Sequence, residues 1–273
     1  MPQLHVTWLT AGIVAAVLIG LGALVSTQLR RGEVGQAIRE CGIVLGLFGL
    51  WMFVGLLVGH HPAGGYARGA EIWRLEKSLH IADEASLQRP LLAHHALLSA
   101  ANYYYAYAHW FSVDVVLAWL WLRHRTHYLQ TRRALVLFTG SCLLLHLIST
   151  APPRLLHQTG VVDAASALGQ SVYADSPGIS DHLSAMPSIH VGWALLFAMA
   201  AWRAGGPIAR GLASAHAVLT AYVVVVTGNH FWLDGIVAAV LAATAVAVAA
   251  RVRRPVADAT MAALPLRPDK SAA

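Results

Sequence analysis

The chain has 273 residues, of which 57% are hydrophobic and 12% are charged, and its mean hydropathy is +0.58. So few charged residues cannot cover the surface of a soluble protein of this length. Several apolar stretches approach the roughly 20 residues that a helix needs to cross a bilayer. The net charge of +6 comes mainly from short turns between those stretches, which is typical of membrane topology signals and not of a nucleic-acid surface. The composition therefore excludes a soluble globular protein and predicts a polytopic, all-α membrane bundle.

The apolar stretches predict six or seven transmembrane helices, at the following approximate positions. They cover residues 8–27, 41–58, 102–122, 134–148, 188–202, 212–227 and 231–249. The segment before the first stretch lacks the basic residues of a cleaved signal peptide, so we interpret this stretch as a retained span. Residues 60–90 are mixed and charged with apolar positions at helical spacing, which predicts either an amphipathic helix on the membrane surface or a solvated connector.

These stretches divide the chain into three parts. We predict N-terminal transmembrane helices at residues 1–60, a membrane domain that holds the polar motifs at residues 61–250, and a disordered cytoplasmic tail at residues 251–273. The two cysteines, Cys41 and Cys142, lie near or within apolar stretches and predict neither a disulfide framework nor a metal site. No pattern in the chain indicates an oligomeric state.

Basic residues predict which ends of the helices face the cytoplasm. They cluster in the turns at residues 30–39, 123–133, 203–210 and 251–254, which share one face if seven spans alternate. The positive-inside bias assigns that face to the cytoplasm. The polar segments at residues 60–90, 151–186 and 228–230 then lie on the extracytoplasmic face, so one site there could include residues from all of them.

The first candidate motif is Pro187-Ser188-Ile189-His190, which opens an apolar stretch. Pro187 suits the first turn of a helix, where its missing N–H has no cost. Ser188 adds a hydroxyl and a nearby free backbone N–H, and unpaired donors at a helix N-terminus bind anions. His190 places an imidazole at the edge of that site. The motif predicts a phosphate-sized anion held against a proton donor.

The second candidate motif is His230-Phe231-Trp232-Leu233-Asp234. The offset of four places His230 and Asp234 on one helix face, about one turn apart. A carboxylate bonded to one ring nitrogen selects the tautomer and makes the other nitrogen a better nucleophile toward phosphorus. Asp234 also lies in an apolar segment, where an ionisable group needs a partner. A structural or metal-binding pair is the alternative interpretation.

Together, Pro187-Ser188-x-His190 and His230-x-x-x-Asp234 resemble the two motifs of the type 2 phosphatidic acid phosphatase (PAP2) superfamily. The resemblance implies a helical membrane enzyme with a PAP2-like core that acts on a lipid phosphate without a metal or other cofactor. It implies that His230 attacks phosphorus and forms a phosphohistidine, and that Asp234 orients His230. It also implies that His190 protonates the leaving oxygen and that Ser188 holds the phosphoryl oxygens.

Two departures from the phosphatase pattern point to one branch of the superfamily. Val224 stands where the pattern has an arginine, and Ala82 replaces the lysine of an upstream motif that would end at Arg89-Pro90. The run Ala151-Pro152-Pro153-Arg154 instead resembles the inositol phosphorylceramide synthase branch, which lacks the late arginine. The guanidinium of Arg154 could neutralise a phosphoryl group bidentately. Its alternative role is a headgroup anchor at the end of a span.

Several questions stay open at the level of the sequence. The acceptor of the phosphoryl group is water in a phosphatase, or inositol or another alcohol in a phosphotransferase, and the run ending at Arg154 slightly favours transfer. Asn102, Tyr103 and His109 either line the substrate cleft or pack in the core. His157 and Asp163 either contact the headgroup or are solvated loop residues.

Two other classes of protein compete with a phosphoryl-transfer enzyme. A transporter or scaffold could use the same helices, although an ion-coupled carrier should show broken spans near mid-membrane. Paired histidines at His60-His61, His94-His95 and His124-x-x-His127 are similar to those of membrane di-iron oxygenases, but they divide between the two predicted faces. His146 is expected to be a satisfied membrane histidine.

Overall fold

The computed structural model describes residues 7–28, 32–59, 64–170 and 183–251, and over these ranges it is all-helical without a β-strand. The α-helices in chain order are α1 Trp8–Thr27, α2 Gly32–Gly59, α3 Gly65–Ser78, α4 Glu84–Leu92, α5 His95–Tyr103, α6 His109–Arg123, α7 Arg125–His146, α8 Ala164–Ala167, α9 Ile189–Ala204, α10 Pro207–Val226 and α11 Trp232–Arg251. The all-α prediction is confirmed. His60-His61 and the predicted tail beyond residue 251 lie outside the described residues.

Among the described residues, four helical segments are long and apolar enough to cross a membrane. They are Trp8–Thr27, Val34–Val54, Pro207–Val226 and Trp232–Arg251. Helix α9 is apolar but shorter. The predicted span at 102–122 runs from the end of α5 into α6, and the span at 134–148 overlaps the later part of α7. These helices support an integral membrane protein, whereas six or seven spans stay a prediction.

The first two helices pack closely along each other because glycines line the contact. A Cβ atom on Gly22 would lie 2.5 Å from the carbonyl oxygen of Gly35, and a Cβ atom on Gly35 would lie 2.5 Å from the carbonyl oxygen of Gly22. Small residues of this kind let membrane helices approach closely. Helix α2 begins at residue 32 and not at residue 41, because Glu40 is buried and paired with Arg132 and Tyr128 of α7. The charged turn that we predicted there continues the helix instead.

Helices α7, α9, α10 and α11 surround the main core, together with one long helix formed by α5 and α6. A Cβ atom on Gly192 of α9 would lie 1.8 Å from the ring of Phe138 in α7, so the ring fills the space that the glycine leaves. Helix α5 continues into α6 through a π-helical turn at Tyr104–Ala108. Such turns are frequent at functional sites, and this one supplies part of the candidate site described below.

The described part of the charged segment at residues 60–90 forms α3 and α4, so its helical character is confirmed there. Both helices also bury polar side chains against the bundle. The Oε1 atom of Glu76 accepts a hydrogen bond from the N–H of Leu233 at 2.7 Å. Gln88 accepts one from the N–H of Val162 at 2.8 Å and donates to the carbonyl oxygens of Val162 and Val226 at 2.9 and 3.0 Å. These bonds join the segment to the start of α11, to the end of α10 and to the loop after α7.

Candidate active site

The Pro-Ser-x-His motif forms the start of α9. Ser188 is the N-cap residue, and its Oγ accepts a hydrogen bond from the N–H of Val191 at 3.4 Å. Pro187 therefore precedes the cap and does not lie in the first helical turn as predicted. The N–H of Ser188 donates to the carbonyl oxygen of Asp234 at 3.2 Å, so it is not the free donor that we expected. This bond ties the start of α9 to the first turn of α11.

His230 lies just before α11 and has two acceptors at the same ring nitrogen. Its Nδ1 is 2.7 Å from the carbonyl oxygen of Ala185 and 3.3 Å from Oδ2 of Asp234. Because a carbonyl oxygen only accepts, the short contact requires a proton on Nδ1. The Nε2 atom then carries a lone pair, and it has no hydrogen-bond partner among the described residues. The surroundings thus select the tautomer whose Nε2 can act as a nucleophile.

Asp234 is fully buried in the first turn of α11. Its Oδ2 accepts a hydrogen bond from the N–H of Phe231 at 2.8 Å, which is shorter than its contact with His230. The carboxylate therefore holds the turn before α11 as well as the imidazole. The nearer partner of His230, the carbonyl of Ala185, lies 45 residues away in the chain, and no sequence signal pointed to it.

The structure brings the two predicted histidines together. The ring centroids of His190 and His230 are 5.9 Å apart, with an angle of 58° between the planes. Tyr105, from the π-helical turn, stacks on His190 at 4.4 Å, and His109 meets the same ring nearly edge-on at 4.3 Å. Over the part of the chain that the structure describes, no group of three or more His, Cys, Asp or Glu residues could hold a metal ion.

Arg154 lies in a 3₁₀ turn at Pro153–Leu155, next to the segment that leads to His230. Its backbone N–H donates to the carbonyl oxygen of Gly228 at 3.0 Å. The side chain is 4% exposed, and its Nε is 3.6 Å from Oδ2 of Asp163. Asp163 therefore has a structural role beside the candidate phosphate ligand, and it also caps α8. His157 is exposed in the neighbouring turn.

The break between α10 and α11 depends on Gly228. Its φ is +71°, and a Cβ atom there would lie 2.6 Å from Cγ1 of Val161. The carbonyl oxygen of Val224 accepts hydrogen bonds from the N–H groups of Asn229 and His230, both at 3.1 Å. Val224 stands where the phosphatase pattern has an arginine, and here it belongs to the buried core. This tight turn places His230 in the segment between α10 and α11, before the first residue of α11.

Two further polar residues hold loops beside the site, and one of them, His146, also lines the smaller cavity with His190 and His230. His146 donates from Nε2 to the carbonyl oxygen of Pro187 at 3.0 Å, so it is satisfied, and it holds the loop before α9. Asn102 donates to Oε1 of Gln170 at 3.1 Å and thereby fastens the loop after α8. Of the three residues that we weighed as cleft residues, His109 lines the cavity at the site, whereas Asn102 holds this loop and Tyr103 is exposed and stacks on Tyr107.

Two buried glutamates behind α11 were not singled out from the sequence. Glu76 and Glu84 are 3% and 2% exposed, although they belong to a segment rich in charge. Burial raises the pKa of Glu76 to about 9, and the neighbouring Glu84 carboxyl adds to this shift. Glu76 therefore keeps its proton at neutral pH while it accepts the N–H of Leu233. These glutamates are buried because α3 and α4 pack on α11, and the sequence around them is that of solvated glutamates.

A cavity of about 970 Å³ lies between α2 and α6 and reaches His190. A second cavity of about 160 Å³ shares part of the same wall and is lined by both His190 and His230. Most of the lining side chains are apolar or aromatic. Ligand pockets of this size and character bind molecules with a large apolar part.

The comparisons with known proteins agree with the two motifs. Neither the comparison with curated proteins nor the comparison with solved structures gives a match. A family model described as PAP2 superfamily matches residues 70–248. That range covers more than half of the chain and includes both motifs and Arg154. As the motifs predicted, the chain belongs to the PAP2 superfamily.

Proposed function

We propose that the chain is an integral-membrane enzyme that removes a phosphoryl group from a lipid phosphate ester through a phosphohistidine at His230, without a metal or other cofactor. Membership in the PAP2 superfamily supports a phosphatase-type activity on phosphate esters. The observation that carries the proposed mechanism is the state of His230. Its Nδ1 is held by two acceptors, its Nε2 is without a partner among the described residues, and His190 lies 5.9 Å away between ring centroids.

In the first step, the lone pair on Nε2 of His230 attacks phosphorus, and the bond between phosphorus and the ester oxygen breaks. His190, in its protonated form, gives a proton to the leaving oxygen, so that an alcohol departs. Positive charge develops on the ring of His230 as the P–N bond forms. Asp234 and the carbonyl oxygen of Ala185 stabilise this charge through Nδ1.

In the second step, a hydroxyl group attacks the phosphohistidine, and the P–N bond breaks. His190 accepts the proton of the attacking group, and His230 recovers its lone pair. Attack by water releases inorganic phosphate, whereas attack by inositol or another alcohol forms a new phosphate ester. The run Ala151-Pro152-Pro153-Arg154 favours the inositol phosphorylceramide synthase-like branch, and with it transfer of a phosphoryl or inositol phosphate group.

The negative charge on the phosphoryl oxygens requires donors aimed at them in the transition state. We assign this role to Arg154, because its backbone bonds to Gly228 two residues before His230 and its guanidinium is oriented by Asp163. Ser188 uses its oxygen, not its proton, in the cap of α9. The hydroxyl proton can therefore be donated to a phosphoryl oxygen.

We place the site on the extracytoplasmic face of the membrane. Helix α7 ends at the site, and α9 and α11 begin there. The opposite ends of these and the neighbouring helices carry Arg123, Arg125, Arg203 and Arg251. The position of these four arginines at the helix ends away from the site agrees with the positive-inside bias.

The test measures products from a lipid phosphate with a radiolabelled phosphoryl group, in detergent micelles, with and without added inositol. We expect His230→Ala to lower turnover at least about 1000-fold with an unchanged unfolding temperature. His127→Ala removes an imidazole at the far end of α7 and should leave turnover unchanged. Free phosphate as the sole product under both conditions excludes transfer. Full activity of His230→Ala overturns the mechanism and favours a carrier, a scaffold or another nucleophile.

A further inference from the structure

The larger cavity forms an apolar groove that leads away from the histidine pair. Its walls include the aromatic cluster of Phe48 and Trp51 from α2 and Trp110 from α6, with ring centroids 5.3 to 6.4 Å apart. We call this cavity the α2–α6 groove. The smaller cavity shares these three side chains and also contacts His230. The groove is therefore continuous with the site, and its apolar walls fit a hydrocarbon chain.

Asp114 lines this groove at a depth in the membrane where burying an ionisable side chain is energetically unfavourable. It stands nine residues before Arg123 on α6, which corresponds to about 14 Å along the helix axis. That distance places it inside the hydrocarbon core, which is about 30 Å thick. Over the described residues, Asp114 has no hydrogen bond and no ion pair, although an ionisable side chain inside a membrane normally has a partner.

Two other polar residues along the groove, Glu40 and His109, already have hydrogen-bond partners within the protein. Glu40, farther along the wall, accepts hydrogen bonds from Tyr128 and Arg132. The Nδ1 atom of His109 is bonded to the carbonyl oxygen of Tyr105 at 3.2 Å. Asp114 differs from them because its side chain is exposed, lines both cavities and has no partner among the described residues.

We propose that Asp114 is a specificity residue that accepts a hydrogen bond from the lipid substrate. The donor would be a hydroxyl or an amide N–H a few bonds from the phosphate. This inference rests on the proposed function, which puts the phosphate at His190 and His230. Asp114 follows His109 by five residues, about 7.5 Å along the axis, and His109 touches His190. A lipid without a donor leaves the carboxyl group unpaired, so the enzyme discriminates against it.

The turnover test compares three lipids in mixed micelles. Ceramide 1-phosphate carries an amide N–H and a hydroxyl near its phosphate, lysophosphatidic acid carries only a hydroxyl, and dioleoyl phosphatidic acid carries neither. We expect wild-type kcat/KM to favour one or both donor-bearing lipids over phosphatidic acid, and the comparison of the first two separates the amide from the hydroxyl. In Asp114→Leu we expect this preference to fall about tenfold. Asp114→Asn keeps an acceptor oxygen and should retain most of it.

Ser112→Leu provides the matched control. It introduces the same side chain two positions away, where the hydroxyl of Ser112 donates to the carbonyl of His109 within the same helix and does not line the groove. We expect this variant to keep the wild-type preference. The same lipid preference in wild type and in Asp114→Leu overturns the proposal.

A binding measurement separates this inference from the proposed function. Relative affinities of the three lipids are measured for His230→Ala, with and without Asp114→Leu, by competition against a fluorescent phosphatidic acid. A loss of preference with Asp114→Leu supports the role of Asp114, and equal relative affinities overturn it. Absence of turnover in the wild type would count against the proposed function alone, because this binding comparison still decides the role of Asp114.

Discussion

Glu76 makes the stability of this protein decrease as the pH rises. Burial and the neighbouring Glu84 raise the pKa of the Glu76 carboxyl from 4.5 to about 9. The folded state therefore keeps a proton that the unfolded chain loses above pH 4.5. The stability contribution of this group is fully present below the unfolded pKa, and it is lost progressively as the pH rises toward the folded pKa. A salt-bridged carboxylate would have the opposite effect.

The size of this effect follows from the linkage between protonation and folding. One proton held by the folded state alone changes the free energy of unfolding by about 1.4 kcal/mol per pH unit. Between pH 6 and pH 8 the wild type should therefore lose up to about 2.7 kcal/mol through Glu76. Glu76→Gln imitates the protonated acid, since its amide oxygen still accepts the N–H of Leu233 and it has no proton to lose. We therefore expect the difference in the free energy of unfolding between Glu76→Gln and wild type to increase by up to about 2.7 kcal/mol from pH 6 to pH 8.

The assay is denaturant unfolding in detergent micelles at pH 6, 7 and 8, followed by tryptophan fluorescence. Glu71→Gln removes a carboxyl group from the exposed side of α3 and controls for the change in net charge. We expect its stability to follow the wild-type dependence on pH. If the unfolding free energies of Glu76→Gln and wild type change in parallel from pH 6 to pH 8, Glu76 is not the group that holds the proton.

Two glycine substitutions test the packing around the site. At Gly228, with φ +71°, an added methyl group would lie 2.6 Å from Val161, so we expect Gly228→Ala to lower the free energy of unfolding by about 1–3 kcal/mol and to reduce turnover by displacing His230. An unchanged unfolding midpoint would contradict this. Gly192→Ala places a methyl group 1.8 Å from Phe138 and should also cost about 1–3 kcal/mol. Phe138→Leu in the same chain should recover part of that loss, and no recovery would mean that the ring is not the cause.

Much of the helical layout could be predicted because it depends on local patterns. The apolar stretch at residues 8–27 is helix α1, and the stretches at 188–202 and 231–249 agree with α9 and α11 to within two residues at each end. His230 and Asp234 do meet, with Nδ1 and Oδ2 3.3 Å apart, although His230 precedes α11 and does not share its helix face with Asp234 as predicted. Helices α2, α7 and α10 begin at residues 32, 125 and 207, earlier than the predicted starts at 41, 134 and 212. For α2 the reason is that the partners that bury Glu40 come from α7.

Contacts between distant segments could not be predicted from a single chain. His109 reaches His190 because a π-helical turn and the packing of two helices align them. Glu76 was expected on a surface helix or a connector, yet it binds Leu233, 157 residues away. Hydropathy and spacing describe one segment at a time, so they carry no information on which backbone group a buried side chain will meet.

The sequence by itself determined the membrane class, the positions of α1, α9 and α11, and the identity of the two histidine motifs. These features follow from hydropathy and from residue spacing along single helices. Only the tertiary structure decided that Ala185 selects the tautomer of His230, that Asp163 pairs with Arg154, and that Asp114 faces an apolar groove. The physical reason is that hydrogen bonds, ion pairs and cavities require groups from separate segments to meet, and packing alone brings them together.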